Sequence, residues 1–509
     1  MDENPANKPQ EERRQKFSDY FYNGVTYVGV FLSLLTFVVE LFLFAFDFMG
    51  DGHNVYLGIF TYVLFPVCLI SGLILIPIGA LNKWNRVRKG LAPRKPRTFF
   101  IDPALPTHRN AIFVFSIGTA LLLIMSGIGS YQAFHYTESV QFCGMTCHHI
   151  MKPEHTAYTQ SPHSRVKCVE CHVGDGADWY VHYKLNGVKQ LYHTIKGDWP
   201  TPIPTPVKNL RPADQTCEQC HSPDKFYSSF ELNRTYYSTQ VPEEPKWLMR
   251  MLINVGRNDK TQEGIHAHMY LDNDIYYAAE DEKRQQISWI KSADKQGNET
   301  IFVTPGSKWE NQAPPQELVR KMDCVDCHNR PTHQFRAPQT LMNQALSMGR
   351  IDETLPSIKA KAIELLSGDY KTEEEAVTTI RKKLIEFYQG ELAENFPQYQ
   401  DKVTQAADTV VTIYKNNMFP EMKARWDAYP DNIGHMNSQG CFRCHDGQHV
   451  AQNESKAVIT RDCNVCHVII EQGPPDALQK DTAGVPFVHP FEDDGLWQEM
   501  NCTDCHTGN

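Results

Sequence analysis

Cysteine outside one recurring pattern is almost absent from these 509 residues. Of 15 cysteines, 14 fall in seven copies of that pattern, and Cys68 alone stands outside. A disulfide framework is therefore excluded, since none of the pairs it would need is left over. No segment is of low complexity, and apart from the cysteine pattern there is no repeat of roughly 20–50 residues, which excludes solenoids and disordered arrays. Nothing ahead of the first apolar run has the form of a cleavable signal, a shorter apolar segment closed by a small-residue cleavage site. Basic excess is missing too: 50 Lys and Arg face 60 Asp and Glu, so nucleic acid is not an expected partner.

The cysteine pattern itself is specific. Six copies read Cys, two residues, Cys, His: Cys168/Cys171/His172, Cys217/Cys220/His221, Cys324/Cys327/His328, Cys441/Cys444/His445, Cys463/Cys466/His467 and Cys502/Cys505/His506. A seventh, Cys143/Cys147/His148, has three residues between its cysteines. Chance would supply roughly 0.02 copies of the two-residue form at this composition. Zinc sites pair one CxxC with a second CxxC or with spaced histidines, which this repeat does not do. CxxCH is the attachment signature of c-type haem, in which two thiols add to the vinyl groups and the adjacent His reaches the iron from one face. Seven covalently bound c-type haems are expected, and with them an electron carrier. Each macrocycle is apolar and must be covered, so seven haems are expected to contribute a large share of the core. Cys68 lies in an apolar run and reads as a small hydrophobe.

Three apolar stretches occupy the first 140 residues, Gly24 to Met49, Val55 to Ala80 and Ala111 to Ala133, each long enough to cross a bilayer as a helix. Between Lys83 and Arg109 eight basic residues stand against Asp102 alone, whereas the segment around Asp51 and His53 has no Lys or Arg. The positive-inside rule then places the N-terminus and the basic loop in the cytoplasm and everything after the third span outside. Haem attachment on the outer face of a bacterial inner membrane agrees with that orientation. The exported residues, from Gln141 onward, carry a net charge of −12.

Motif spacing divides the exported part. The first three motif histidines fall within 73 residues, gaps of 107 and 117 follow, and His445, His467 and His506 close the chain. The expected organisation is a membrane domain over 1–140, a tetrahaem module over 141–340 with an insertion at 223–316, a helical insertion at 341–430 and a trihaem module at 431–509. The fold class is mostly α and irregular multihaem cytochrome c, with a small β insertion. In that insertion, alternation from Asp274 to Val303 around Lys295-Gln296-Gly297-Asn298 predicts a hairpin. Thr372 with Glu375 predicts a capping box before the apolar row Val377, Ile380, Leu384 and Phe387, with Gly390 as the stop. A second helix is predicted from Asp401 to Asn417.

Low-potential electron-transfer haems take two axial side chains, so six or seven further ligands must come from the 14 histidines outside the motifs. His53 and His108 fall at membrane loops and His135 just after the third span, which makes them poor candidates. Chemistry and position favour other residues. Either His266 or His268 in Gly264–Met269 suits an axial role, with a slight preference for His268. His435 and His489 precede the fifth and seventh motifs in turns, and His449 is a third candidate in the last cluster.

The stretch FCGMTCHHIMKPEHTAYTQSPHSRVKCVECHVG, residues 142–174, resembles the opening of the NapC/NirT/NrfH family of membrane-anchored quinol dehydrogenases. WYVHYKLNGVKQ (179–190) and CVDCHNRPTH (324–333) also look like family segments, so the resemblance covers about residues 110–340. It implies that a Met just after the first motif can ligate the first iron in place of the motif His, which leaves Met151 and His148 as alternatives. It implies axial roles for His163, His193 and His333, and it places Lys184 beside a quinol ring. Asp178 belongs to the same segment. Glu40, an ionisable residue inside the first span, is a functional candidate on its own account, as an acceptor of a quinol proton.

These readings converge on a membrane-anchored heptahaem cytochrome that oxidises menaquinol from the membrane pool. Its electrons would pass to a periplasmic or outer-surface redox protein, and a membrane complex or homo-oligomer is compatible with the sequence. One rival is a terminal multihaem reductase of nitrite or hydroxylamine. Such enzymes commonly carry CxxCK at the catalytic haem, which this chain lacks. A second rival is an anchored conduit or electron store without a quinol site.

Overall fold

The computed structural model describes residues 20–49, 64–89, 103–146, 148–173, 177–207, 210–226, 228–239, 246–256, 264–266, 273–490 and 495–506. The chain forms two compact units, 1–146 and 147–509.

The first unit contains helices α1 (Gly24–Met49), α2 (Phe65–Arg88) and α3 (Pro106–Thr137). Each contains a stretch apolar and long enough to cross a membrane. Small residues recur at helical spacing where α1 and α2 meet, and they set how closely the backbones approach. A methyl group added to Gly29 would stand 2.7 Å from the Gly72 carbonyl, and one added to Gly72 would stand 2.9 Å from Ser33 N. That is the small-residue packing expected between helices that gain nothing from burying apolar surface against lipid. Thr26 Oγ1 donates to Ile76 O across the contact (3.3 Å), and Lys83 Nζ caps Tyr22 O at 2.8 Å. Two expectations shift. Lys83, Arg86 and Arg88 extend α2 rather than lying in a loop, because Lys and Arg are good helix formers. His108 and His135 both lie within α3, the latter stacked edge-on to Tyr131. The early part of the second expected span and His53 lie outside the described residues.

The second unit begins with α4 (His148–Thr159) and α5 (Ala177–Lys196) and then builds two antiparallel sheets. One has the order β1-β2-β8-β9, from Ser229–Tyr236, Trp247–Asn254, His467–Gly473 and Gln479–Lys480. The other runs β6-β3-β4-β5-β7, from Arg320–Lys321, Asn273–Ala279, Ile287–Asp294, Glu299–Val303 and Val450–Ala451. The predicted hairpin is thus three long strands. Its turn is closed by Asp294 Oδ1, which accepts from Gln296 N (2.9 Å) and Asn298 N (2.8 Å), with Gly297 at φ +89°. The small β insertion of the sequence reading is exceeded, because both sheets recruit strands from the C-terminal segment. Two of these, β7 and β9, have only two residues and carry no readable alternation.

Between the sheets' contributions lies a helical body: α6 (Pro338–Ser347), α7 (Ile358–Leu366), α8 (Glu373–Glu391) and α9 (Phe396–Asn417). Thr372 caps α8 by accepting from Glu375 N at 3.1 Å, while Glu375 reaches back to Lys371 N at 2.9 Å. α8 ends at Glu391, one residue past the predicted stop at Gly390, and α9 starts five residues before Asp401, at Phe396, with Pro397 in its first turn, where a missing N–H costs nothing. Ile380, Leu384, Tyr388, Val403, Ala407 and Val410 are completely buried where α8 meets α9. This cluster contains no motif residue, so it needs no cofactor to fill it.

Candidate metal centres

Four of the described motifs are closed by a backbone bond from the first residue to the fifth, while in the sixth a short turn over Cys463–Val465 leads straight into β8 at His467. His221 N donates to Cys217 O (2.8 Å), His328 N to Cys324 O (2.8 Å), His445 N to Cys441 O (3.0 Å) and His506 N to Cys502 O (2.8 Å). A turn closed from the first residue to the fifth brings positions i, i+3 and i+4 to one side, which presents two thiols and an imidazole together. Every described cysteine is free. Cys147 and the side chain of His148 lie outside the described residues.

The attachment cysteines differ in how far the chain itself covers them. Cys220 and Cys505 are exposed, as are Cys171 and Cys463, whereas the other described motif cysteines are partly buried. Cys220 caps the short turn Cys217–Gln219, and Cys505 is the last residue of the turn Cys502–Cys505. In both motifs the chain covers the first cysteine, Cys217 or Cys502, more than the second, whereas in the sixth motif Cys463 is the exposed one. For Cys220 and Cys505 burial therefore adds nothing to the assignment, which rests on motif spacing alone.

The tertiary fold brings five motif histidines against histidines from elsewhere. The ring centres are 6.0 Å apart for His163 and His221, 6.2 Å for His172 and His333, 6.3 Å for His266 and His328, 6.2 Å for His435 and His467, and 6.2 Å for His489 and His506. An imidazole nitrogen binds a transition metal at about 2.0 Å and stands about 1.1 Å from its ring centre, so two imidazoles on opposite faces of one metal hold their centres roughly 6.2 Å apart. Direct packing of two rings would not select that value five times. The residues present therefore fit haem iron held from both faces.

Local bonds orient these rings. His266 Nδ1–H donates to Val255 O (2.9 Å) and His333 Nδ1–H to Glu154 O (3.0 Å), which leaves Nε2 of each as the free lone pair. The Nδ1 atoms of His163, His435 and His467 are buried with no partner among the described residues. Burial, and then the neighbouring His333, bring His172 down to about 4. Burial, and then His467, do the same for His435. Both rings are neutral at ordinary pH, the form that ligates metal. Sheet structure supplies the placement: Asn254 N donates to Cys466 O at 2.9 Å, so the end of β2 carries the sixth motif on one side and, through Val255, His266 on the other.

Other candidates fall differently. The fold sets His266 opposite His328, whereas His268 lies outside the described residues. His449 is fully buried, but its Nε2 donates to Ile287 O (2.9 Å) and its Nδ1 meets the Asp446 carboxylate (2.9 Å), so neither nitrogen is directed at an iron. His193 is half-exposed and bonds Asp198 Oδ1 at 2.7 Å. It faces no second histidine ring among the described residues. His445 donates from Nδ1 to Thr460 O at 3.1 Å. Met151 follows His148 by three residues on α4, one helical turn on. Glu40 is half-buried on α1, and the side chains of Lys184 and Asp178 lie outside the described residues.

Sequence reasoning missed the polar groups between and beside the motifs. Glu154 on α4 binds Arg330 Nη2 (3.0 Å) and fixes His333 through its carbonyl. Asp326, inside the fourth motif and almost fully buried, takes Arg320 Nε (2.8 and 3.0 Å) and the Tyr277 hydroxyl (2.8 Å). A charged residue in the gap of a CxxCH is the one signal that could have drawn attention to it.

Comparison with known proteins places this geometry. Residues 105–236 match the family model of the NapC/NirT cytochrome c family, N-terminal region. The chain is 37% identical over 500 residues to the cytochrome c-type protein ImcH of Geobacter sulfurreducens, covering 97% of this chain and 96% of that one. No solved structure matches it.

Proposed function

The chain belongs to the NapC/NirT cytochrome c family, and from that premise we propose that it is a heptahaem quinol dehydrogenase of the bacterial inner membrane. Bound haem supplies one-electron carriers. The observation that carries the reading is the set of five imidazole pairs at the spacing of a doubly ligated iron. His163, His266, His333, His435 and His489 are the proposed second ligands to motifs three, four, two, six and seven. Five motifs whose irons would be held on both faces favour electron transfer there over small-molecule reduction, which needs an open face.

In this reading menaquinol loses two electrons, one at a time, and two protons, and leaves as the quinone. Lys184 orients the ring, with Asp178 nearby, and Glu40 accepts a proton. Electrons pass along the motifs and leave to a periplasmic or outer-surface redox protein. Support for the anchoring comes from the three apolar helices, and for an outward-facing second unit from the basic residues clustered between Lys83 and Arg109.

The test compares two reductants. Lys184→Leu and Glu40→Gln should slow haem reduction by a menaquinol analogue at least tenfold, about 1.4 kcal/mol of transition-state stabilisation, while dithionite reduction is unchanged. Full quinol rates in both variants would dismiss this site. Intact-mass measurement should find seven haems; six or fewer would remove the long first motif as an attachment site.

A further inference from the structure

Helix α5 wears its apolar side outward. Leu185, Val188 and Ile195 are 67%, 65% and 80% exposed, and Leu191 and Tyr192 are exposed beside them. Their spacing of three and four residues puts all five on one face. The remaining face is polar, and there Asn186, His193 and Thr194 are half-buried while Gln190 is exposed. A helix on the surface of a water-soluble domain has the reverse arrangement, because exposing five large apolar side chains in one row forfeits their burial.

We infer that the Leu185–Ile195 face of α5 lies in the plane of the bilayer surface, with its apolar row in the acyl-chain boundary and its polar row toward the protein. Three features of the chain select lipid as the occupant. Three helices of the same chain are long and apolar enough to cross a bilayer, so a lipid surface is at hand. Lys189 directly follows the apolar residue Val188 and stands at the edge of the row, where a long side chain can keep its stem in apolar surroundings and its ammonium among anionic headgroups, while Lys196 at the end of the row is held by Asp198 Oδ2 at 2.7 Å. Twenty residues with one polar face make an in-plane helix rather than a span. By helical spacing Lys184 shares the row, four residues before Val188. The inference rests on membrane anchoring and not on quinol oxidation.

The test uses the full-length, haem-loaded protein in nanodiscs with anionic lipid and a phospholipid bearing a diazirine on its acyl chain. After photolysis and digestion, lipid adducts should be found on the peptide containing Leu185 to Ile195 as well as on peptides of α1, α2 and α3, which serve as the internal control. Adducts on the control peptides with none on α5 would overturn the inference, whether a haem or a second copy of the chain covers the row instead. In a Val188→Glu, Ile195→Glu double variant the α5 adducts should fall several-fold while the controls hold. Unchanged labelling there would equally overturn it. Because labelling needs no turnover, failure of the quinol assay leaves this result standing, and the reverse also holds.

Discussion

Arg443 donates through Nη2 to the backbone carbonyl of Asp326 at 2.8 Å and so ties the fifth motif to the fourth. Its other donors go to Gly440 O (2.9 Å) and Arg284 O (3.0 Å), and the residue is 5% exposed. All three acceptors are neutral carbonyls. The Asp326 carboxylate itself is held by Arg320, Tyr277 and Arg284. A buried guanidinium with no carboxylate partner among the described residues favours the less positive, reduced state of metal centres beside it.

Arg443→Met should therefore do two things. Three buried carbonyls lose their donor and the joint between motifs loosens, at a cost of about 3 kcal/mol, seen as a lower thermal midpoint of the second unit. The centres at motifs four and five should also become harder to reduce, seen as a negative displacement in spectroelectrochemical titration with all haems retained. Arg443→Lys should restore the potential better than the stability, since one ammonium cannot span three separated carbonyls. Potentials unchanged in the Met variant would remove the electrostatic role.

The imidazole pairs should be distinguishable by electron paramagnetic resonance. The His266 and His328 rings are nearly parallel, 3° apart, whereas His163 and His221 cross at 73°. Parallel planes split the two iron d orbitals that overlap the ligands and give a rhombic low-spin signal. Crossed planes leave those orbitals close in energy and give a strongly anisotropic one. His266→Ala should remove a rhombic component and create one high-spin centre, and His163→Ala should remove an anisotropic one. His449→Ala should leave the low-spin count intact. Loss of a low-spin centre in that variant would restore His449 as a ligand.

Acid stability should report on the helical body. The Asp352 carboxylate is held down to about 2 by Lys402 Nζ at 2.7 Å and by the Thr354 hydroxyl and amide at 2.6 and 2.8 Å. Its folded-state value lies below its ordinary one, so its contribution is fully present above about pH 4–5 and fades as pH falls toward 2. The pair is partly exposed, which limits the effect to below about 1 kcal/mol. Asp352→Asn should lower the thermal midpoint at pH 6, and the difference from the parent chain should vanish near pH 2. A difference independent of pH would show that packing, not charge, is responsible.

Much of the candidate site was legible because its chemistry is local. A motif whose two thiols and imidazole sit on one helical turn must be written as adjacent residues, and the apolar spans and the Thr372 cap are local for the same reason. The capping of α8 followed its sequence signal closely. The limits were equally physical. The start of α9 at Phe396, five residues ahead of the predicted Asp401, was not legible because Phe396 and Pro397 carry no polar capping signal. Identical motifs also differ in cover, since the exposure of Cys220 and Cys505 depends on what packs beside each turn and not on the turn itself. The outward apolar row of α5 is a plain amphipathic pattern in sequence, and which side meets water is a property of the surroundings.

By itself the sequence determined where haem can be attached, where a bilayer can be crossed and which family the chain resembles, since each of these depends on residues a few positions apart. Only the tertiary structure decided which histidine faces which. The partners lie 17 residues apart for His489 and His506 but 161 apart for His172 and His333. Closure over such distances is set by sheet register and by buried groups such as Glu154, Asp326 and Arg443, and no local periodicity encodes it. Tertiary contact likewise directed His449 to Asp446 and Ile287 O, because an imidazole serves as readily as a hydrogen-bonding group in a core as it does as a ligand to iron, and only its neighbours determine which.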